Sequence, residues 1–277
     1  MITISAFADE IAPDLATQMD VCESQGVRCI DVRNVNGRNV SQLTVEEAAE
    51  CRKQLDARGF RVPCIGSPIG KIKISDDFDA HLDLLKHCFD VARAFGTSRI
   101  RVFSFYASKG AEVADERDAV MARIGAMAAA AEAADCTLMH ENEKRIYGAR
   151  PEGVKDIFAT IRSASLRSIF DPANFVEEGV APYDDAWCGG LNELTAYFHI
   201  KDKKQAAGGT CVPAGEGAGQ IDRILADLKA RDWSGTMTLE PHLKASGQFA
   251  GHTGPDLFGK AVSALKGLCD RAGIAYQ

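Results

Sequence analysis

The chain alternates short apolar, β-branched segments with longer segments of helical periodicity, and it does so eight times along 277 residues. This alternation predicts βα units and a parallel sheet, because each connection between parallel strands needs the length of a helix. Several of the helical segments end in glycine, which is common just after a helix C-terminus. The predicted strands cover residues 2–7, 29–33, 61–66, 99–105, 137–142, 168–175, 197–202 and 235–242.

The number and spacing of these units favour a closed barrel over an open sheet. Eight units of about 30 to 40 residues fit the ~250 residues of a typical (β/α)8 barrel. An open doubly wound sheet usually carries a Gly-rich turn after its first strand, whereas that turn reads ADEIAPD here. No low-complexity linker or change in composition divides the chain. We therefore predict an α/β fold, with one TIM-barrel domain over residues 1–277.

Charge and hydropathy exclude several classes of function. The net charge is −7 and no basic cluster is present, which argues against binding to a nucleic acid. No apolar run approaches the ~20 residues that cross a bilayer, and the first residues, MITISAFADE, do not form a signal peptide. The nine cysteines occur singly, without a C-x-x-C pair, as expected of reduced thiols. We predict a cytoplasmic protein that binds neither nucleic acid nor membranes.

Four polar residues lie within predicted strands five to eight, each behind a short apolar run: Glu141, Asp171, His199 and Glu240. Side chains alternate between the interior of a barrel and its helix layer, so the last inward position of each strand faces the mouth. Three carboxylates that converge there repel one another unless a cation balances them. Oxygen ligands favour Mn²⁺ or Mg²⁺, and the imidazole admits Co²⁺ or Zn²⁺. We predict one divalent metal ion, with Mn²⁺ preferred.

Segments along nearly the whole chain resemble a known superfamily: SAFADEIAPDL, IDVRNVNGRNVSQLT, GSPIGK, HENE, FDPANF, HIKD, PAGEGAGQID and TLEPH. The sequence is similar to the sugar isomerases and epimerases with the xylose-isomerase-like barrel, which include ketose 3-epimerases, inosose dehydratases and hydroxypyruvate isomerases. The resemblance implies that Glu141, Asp171, His199 and Glu240 bind the metal, and that Glu141 and Glu240 also transfer protons. It also implies a small carbohydrate substrate and a homo-oligomer, either a dimer or a tetramer.

The predicted reaction is isomerisation or epimerisation of a sugar, sugar phosphate or sugar acid. A metal that holds a carbonyl and the neighbouring hydroxyl makes the adjacent C–H acidic, so a glutamate can remove its proton to give a cis-enediolate. Return of the proton to the opposite face inverts a carbon, and return to a neighbouring carbon isomerises the sugar. Loss of a β-hydroxyl instead would make the protein a dehydratase of an inosose or related keto-polyol. A sugar-binding barrel without catalysis is a further alternative.

Residues near the predicted mouth supply the predicted contacts to the substrate. The sequence departs from the ketose 3-epimerases at Asn174, where their Asp-x-x-His motif has histidine, and it lacks their arginine after the strand-seven histidine. Cationic residues near strand ends would suit a sugar acid or a phosphorylated sugar, although surface pairing explains Arg101 and Lys71 equally well. The predicted substrate contacts are Asn174, Lys201, Arg33, Lys71, His242 and Asp202.

A metal-dependent DNA repair endonuclease shares this barrel and is the alternative from another class. Such enzymes need further histidines at other strand ends to hold a three-metal cluster. The ends of strands two to four read DVRN, CIGSP and VFSFY, without a histidine. The sequence therefore favours the carbohydrate enzyme. The Gly-rich segment GEGAGQID also lacks the ending of a P-loop, so we predict no nucleotide site.

Overall fold

The computed structural model describes residues 1–204, 208–244 and 251–277. Its strands are β1 (Ile2–Ala6), β2 (Asn34–Val35), β3 (Arg38–Asn39), β4 (Arg99–Val102), β5 (Thr137–Glu141), β6 (Leu166–Phe170), β7 (Thr195–Ile200), β8 (Asp202–Lys203), β9 (Cys211–Val212) and β10 (Gly235–Leu239). One sheet has the order β1-β10-β7-β6-β5-β4, and all of its pairs are parallel. The remaining strands form two short antiparallel pairs, β2 with β3 and β8 with β9.

Two extended segments close the gap between β1 and β4. Parallel bridges join neighbours at four points: Ala6 to Ile30, Cys29 to Arg61, Val32 to Ile65, and Ile65 to Ile100. These segments were predicted as strands over 29–33 and 61–66, but they make single bridges instead of a continuous ladder. Pro63 contributes to this difference because it has no N–H to donate. Eight parallel segments thus form the wall, which is the α/β barrel that the sequence predicts.

Helices surround this wall and bury their apolar faces against it. They are α1 (Leu15–Ser24), α2 (Val45–Ala57), α3 (Phe78–Ala94), α4 (Arg117–Ala133), α5 (Pro151–Thr160), α6 (Pro172–Glu177), α7 (Ile221–Ala230) and α8 (Pro255–Ala272). Several have N-cap residues whose side chains accept hydrogen bonds from the free N–H groups of the first turn. Examples are Asp14 before α1 and a capping box of Thr44 and Glu47 at α2. None of the helices within the described ranges is long and apolar enough to cross a membrane.

The sixth predicted strand is shorter than expected. The prediction extended it over 168–175, whereas β6 ends at Phe170 and α6 begins at Pro172. Proline at the first helical position has a suitable φ and needs no partner for an N–H. The side chain of Asp171 caps this helix by accepting from the backbone N of Asn174 at 3.0 Å. The apolar FDPANF segment therefore turns from strand to helix at Asp171.

Gly70 marks a close backbone approach near the end of the third barrel segment. Its φ is +91°, a left-handed value, and a Cβ at this position would lie 2.0 Å from the carbonyl oxygen of Phe103. Its N–H donates to His81 Nε2 at 2.7 Å. Only glycine fits this position without moving the neighbouring backbone.

We expect Gly70→Ala to lower the free energy of unfolding by about 3 kcal/mol, because backbone strain and a clash with fixed atoms add together. Gly110 is the matched control, since its φ is +83° but a Cβ there would meet nothing within 4 Å. Gly110→Ala should cost only the strain, about 1 kcal/mol. Guanidinium unfolding of both variants measures the difference. Equal losses would show that the contact with Phe103 does not constrain Gly70.

Candidate active site

The C-terminal ends of four strands bring a buried ligand quartet together at the mouth of the barrel. Glu141 is the last residue of β5, Asp171 and Glu240 directly follow β6 and β10, and His199 lies in β7. Each offers one ligand atom, and these four atoms all lie within 4.8 Å of one another. All four side chains are buried. Side chains alternate with a period of two along each strand, and this alternation brings the four predicted metal ligands to one point.

Unsatisfied polar atoms in the quartet fit a metal ion. His199 Nδ1 lies 3.2 Å from Glu141 Oε2 and 3.7 Å from Glu240 Oε2. Within the described ranges, however, neither ring nitrogen of His199 nor Asp171 Oδ2 has a hydrogen-bond partner of suitable geometry. Buried polar atoms are rarely left without a partner. Carboxylate oxygens and an imidazole nitrogen are suitable ligands for a divalent ion at this point.

Charge balance points to the same conclusion. Five carboxylates belong to the ion-pair network around the quartet: Asp9, Glu10, Glu141, Asp171 and Glu240. Three cationic side chains join them: Arg33, Arg101 and Lys201. A histidine that binds a metal must be neutral, so in the metal-binding form these eight residues carry two negative charges that His199 cannot balance. One divalent cation would neutralise them.

The surroundings of the acids shift their pKa values in different directions. Burial raises the pKa of Asp171 to about 6, against the opposing charge of Lys201. Burial also acts to raise the pKa of Glu141, but His199 and Arg101 outweigh it and lower the value to about 2. The pKa of Glu240 is likewise held well below its usual value, since burial is outweighed mainly by Lys201 and His242. Both glutamates are therefore ionised, the form that binds a metal or accepts a proton.

Two asparagines orient the acids. Asn142 donates from Nδ2 to the backbone oxygen of Asp171 at 3.0 Å and accepts from its backbone N at 2.8 Å. Asn174 donates to Glu141 Oε1 at 3.2 Å. Asn174 was predicted to contact the substrate, and the structure places it beside the quartet. The HENE and DPAN segments thus supply both ligands and the groups that orient them.

The predicted cationic contacts lie at the mouth in close ion pairs. Arg33 Nη1 is 2.6 Å from Glu240 Oε1, and Arg33 Nε is 2.8 Å from Asp9 Oδ2. Lys201 Nζ lies 2.9 Å from Asp171 Oδ2 and 3.4 Å from Glu240 Oε2. Each of these cations therefore has carboxylate partners within the protein.

Lys71 and His242 also lie near the quartet. Lys71 Nζ is 2.8 Å from Glu143 Oε2 and sits over the ring of Phe103. His242 Nε2 is 3.2 Å from Glu10 Oε1 and 3.3 Å from Glu240 Oε1. His242 was predicted to contact the substrate, and the structure places it beside Glu240.

Asp202 has a different role from the predicted substrate contact. Its carboxylate accepts hydrogen bonds from the backbone N atoms of Gly215, Gly217 and Gly219 at 2.8, 3.0 and 2.8 Å. Lys203 N adds a fourth at 2.8 Å. Because both oxygens are used in this way, Asp202 anchors the GEGAG loop beside β7, and contact with a substrate has no support.

Sequence reasoning missed several residues of the site. Asp9 and Glu10 lie in the 3-10 turn after β1 and contact Arg33. The acidic DE pair in SAFADE was the available sequence signal. Surface pairing was the wrong interpretation of Arg101, which is buried and lies 3.3 Å from Glu141. Phe7 packs its ring edge against His199 at a centroid distance of 4.9 Å. A phenylalanine after a strand carries no sequence signal for this role.

The site and fold together define a class: a parallel (β/α)8 barrel with a candidate divalent-metal site at the C-terminal ends of its strands. Residues 19–272 match the family model described as xylose isomerase-like TIM barrel. The chain belongs to that family, as the resemblance implied. A comparison with curated proteins finds no match to the sequence.

Solved structures with the same fold cover nearly the whole chain at low identity. One is a probable 3-DHS dehydratase of petrobactin synthesis from Bacillus anthracis, with 16% identity, 96% of this chain and 99% of that chain covered, and a TM-score of 0.72. A xylose isomerase-like TIM barrel protein from Mycobacterium smegmatis, in complex with magnesium, has 14% identity, 98% and 97% coverage, and a TM-score of 0.72. A D-allulose 3-epimerase from Methylomonas sp. has 16% identity, 96% and 98% coverage, and a TM-score of 0.71. At these identities the likeness shows the fold.

Proposed function

We propose that the protein is a divalent-metal-dependent isomerase or epimerase of a sugar, sugar phosphate or sugar acid. The observation that carries this proposal is the buried quartet, in which His199 lies between two ionised glutamates and the surrounding network lacks two positive charges. Mn²⁺ is the proposed ion, with Mg²⁺, Co²⁺ and Zn²⁺ as alternatives. The magnesium complex of the relative from Mycobacterium smegmatis supports the choice of a divalent ion.

The quartet would hold the ion, and other residues would keep the quartet in place. A bound divalent ion supplies Lewis acidity, which lowers the pKa of a C–H next to a carbonyl. Asn174 and Arg101 fix the carboxylate of Glu141, and Arg33 fixes that of Glu240. Because these partners hold the two carboxylates in position, the carboxylates need little reorganisation during proton transfer.

Glu141 and Glu240 would act as the proton-transfer groups. One of them removes a proton from the carbon next to the carbonyl and leaves an enediolate. If that glutamate returns its proton to the neighbouring carbon, an aldose and a ketose interconvert. If the other glutamate has taken up a proton from solvent and delivers it to the opposite face, the configuration of the carbon inverts, and the first glutamate then releases its proton to solvent.

Dehydration of an inosose or related keto-polyol is the second candidate, and Lys201 favours it. Its ammonium group is buried and lies 2.9 Å from Asp171 and 3.4 Å from Glu240. In this reaction a glutamate takes the proton on carbon, the β C–O bond breaks, and the ammonium group protonates the departing hydroxyl to give water. The fold likeness to a probable 3-DHS dehydratase is compatible with this outcome.

The test is exchange of substrate hydrogen with deuterated water, followed by mass spectrometry across ketoses, sugar phosphates, sugar acids and inososes. Mn²⁺-loaded protein should incorporate deuterium at the carbon next to the carbonyl, and protein treated with a chelator should not. Loss of water from the substrate would select the dehydratase. Saturable binding of a sugar without exchange would contradict the proposal and indicate a sugar-binding barrel.

A further inference from the structure

The cations at the mouth are already neutralised within the protein. Arg33 contacts three carboxylates, Arg101 contacts Glu141 and the backbone oxygens of residues 66 and 67, and Lys71 contacts Glu143. Lys201 lies between Asp171 and Glu240. A phosphate or carboxylate of a substrate would have to break one of these buried pairs, which leaves a buried acid without its partner.

The chain offers few other cations to bind an anion at this place. The segments 205–207 and 245–250, outside the described residues, read QAA and ASGQFA and contain neither lysine nor arginine. Lys144, Lys204 and Lys244 are exposed, so water already solvates their charges. A divalent ion would bring the buried network to neutrality, and an anionic substrate would then add uncompensated negative charge.

The buried polar atoms that remain unpartnered beside the quartet suit hydroxyl groups. Within the described residues, Arg33 Nη2 is a donor and Asp9 Oδ1 an acceptor without a hydrogen-bond partner, and both side chains are 4% exposed. Glu10 Oε1 makes only ion-pair contacts, at 3.2 Å to His242 Nε2 and 3.7 Å to Arg33 Nη2. A hydroxyl both donates and accepts, so a polyol can satisfy both kinds of atom without bringing charge.

A side cleft next to the mouth adds room for such a group. It has a volume of about 400 Å³, within the usual range of ligand pockets. Its lining residues are Asp9, Ile11, Ala12, Pro13, Asn34, Gly37 and His252. Asp9 gives this cleft an acceptor that repels anions, while the apolar side chains from 11 to 13 can cover the C–H face of a sugar.

We infer that the substrate is an uncharged polyhydroxy carbonyl compound, with neither phosphate nor carboxylate, whose hydroxyl groups distant from the metal bind Asp9 in the side cleft. This inference rests on the proposed function and narrows its substrate class. Asp9 acts as the specificity-determining residue because Oδ2 pairs with Arg33, while Oδ1 has no hydrogen-bond partner among the described residues and can accept from a substrate hydroxyl.

Matched pairs of substrates test this inference. Each neutral ketose and its phosphate ester are compared for Mn²⁺-dependent deuterium exchange, and for binding to the Mn²⁺-loaded protein by calorimetry. We expect the neutral member to have at least about 30-fold higher kcat/KM and to bind more tightly. Equal or better exchange with the phosphate ester would overturn the inference and leave the proposed function standing. If no compound exchanges, the proposed function fails, but binding still tests the inference. Tighter binding of the neutral members then supports it, and tighter binding of the phosphate esters overturns it.

The variant Asp9→Asn tests the specificity role directly. It keeps the size of the side chain but frees Arg33 from one carboxylate, so the preference for the neutral member should fall by at least about fivefold. Asp14→Asn is the matched control in the same loop, since Asp14 caps α1 and should leave the preference unchanged. Circular dichroism checks that both variants are folded. An unchanged preference in Asp9→Asn would overturn the role of Asp9.

Discussion

Replacement of Glu240 by glutamine is expected to reduce metal-dependent deuterium exchange by about 1,000-fold, and Glu141→Gln should have a similar effect. Glutamine keeps an oxygen that can bind a metal, but its amide cannot accept a proton from carbon at neutral pH. Both glutamates are ionised at the quartet, so each variant removes a working base. The measurement is the initial rate of deuterium incorporation at saturating Mn²⁺.

Glu216→Gln is the control for these variants. Glu216 is exposed in the GEGAG loop near the mouth, and its replacement should leave exchange within about twofold of the native rate. Mn²⁺ binding is measured in parallel by electron paramagnetic resonance, so that loss of the ion is not mistaken for loss of the base. Full exchange in Glu240→Gln would show that proton transfer does not use Glu240.

His199→Gln is expected to weaken Mn²⁺ binding by at least about 100-fold, because it removes the only imidazole of the quartet. At a Mn²⁺ concentration 100 times the native Kd, the ion should stabilise the native protein by about 2.7 kcal/mol. The variant, at the same concentration, should gain only about 0.4 kcal/mol. Urea unfolding with and without Mn²⁺ gives both values.

His140 provides the matched control because it is also a buried histidine at the end of a barrel strand. It precedes Glu141 and faces the helix layer, where it packs near Phe158 and the backbone of Gly148. Burial lowers its pKa to about 4, so it is neutral. His140→Gln should leave the gain in stability from Mn²⁺ unchanged, even if the protein without Mn²⁺ becomes less stable. Retention of the full gain in His199→Gln would exclude that residue as a ligand.

Local patterns explain why so much of the site was predictable. The period of two along a strand distinguishes Glu141 from His140, and the same rule places His199 in the interior beside it. Asp171 was located correctly although its segment was predicted as a strand through residue 175. The reason is that the turn into α6 begins at Asp171 itself, so the error affects only the residues that follow.

Long-range contacts explain what the sequence could not reveal. The pair of Arg33 with Glu240 joins residues 207 positions apart, and no local pattern encodes it. Arg101 alternates with apolar neighbours as a surface strand residue would, and only the closed barrel turns it toward Glu141. Asp202 follows Lys201 near the mouth, but its orientation depends on three glycine N–H groups of a distant loop.

The anchoring of the GEGAG loop has a consequence for protein engineering. His199, Lys201 and Asp202 lie within four consecutive positions, so the ligand, the buried cation and the loop anchor share one short segment. Changes that displace the three glycine N–H groups bound to Asp202 would therefore disturb the metal ligand as well. Libraries that aim at new substrates are better directed at positions 11 to 13, where side chains line the cleft without holding the catalytic groups.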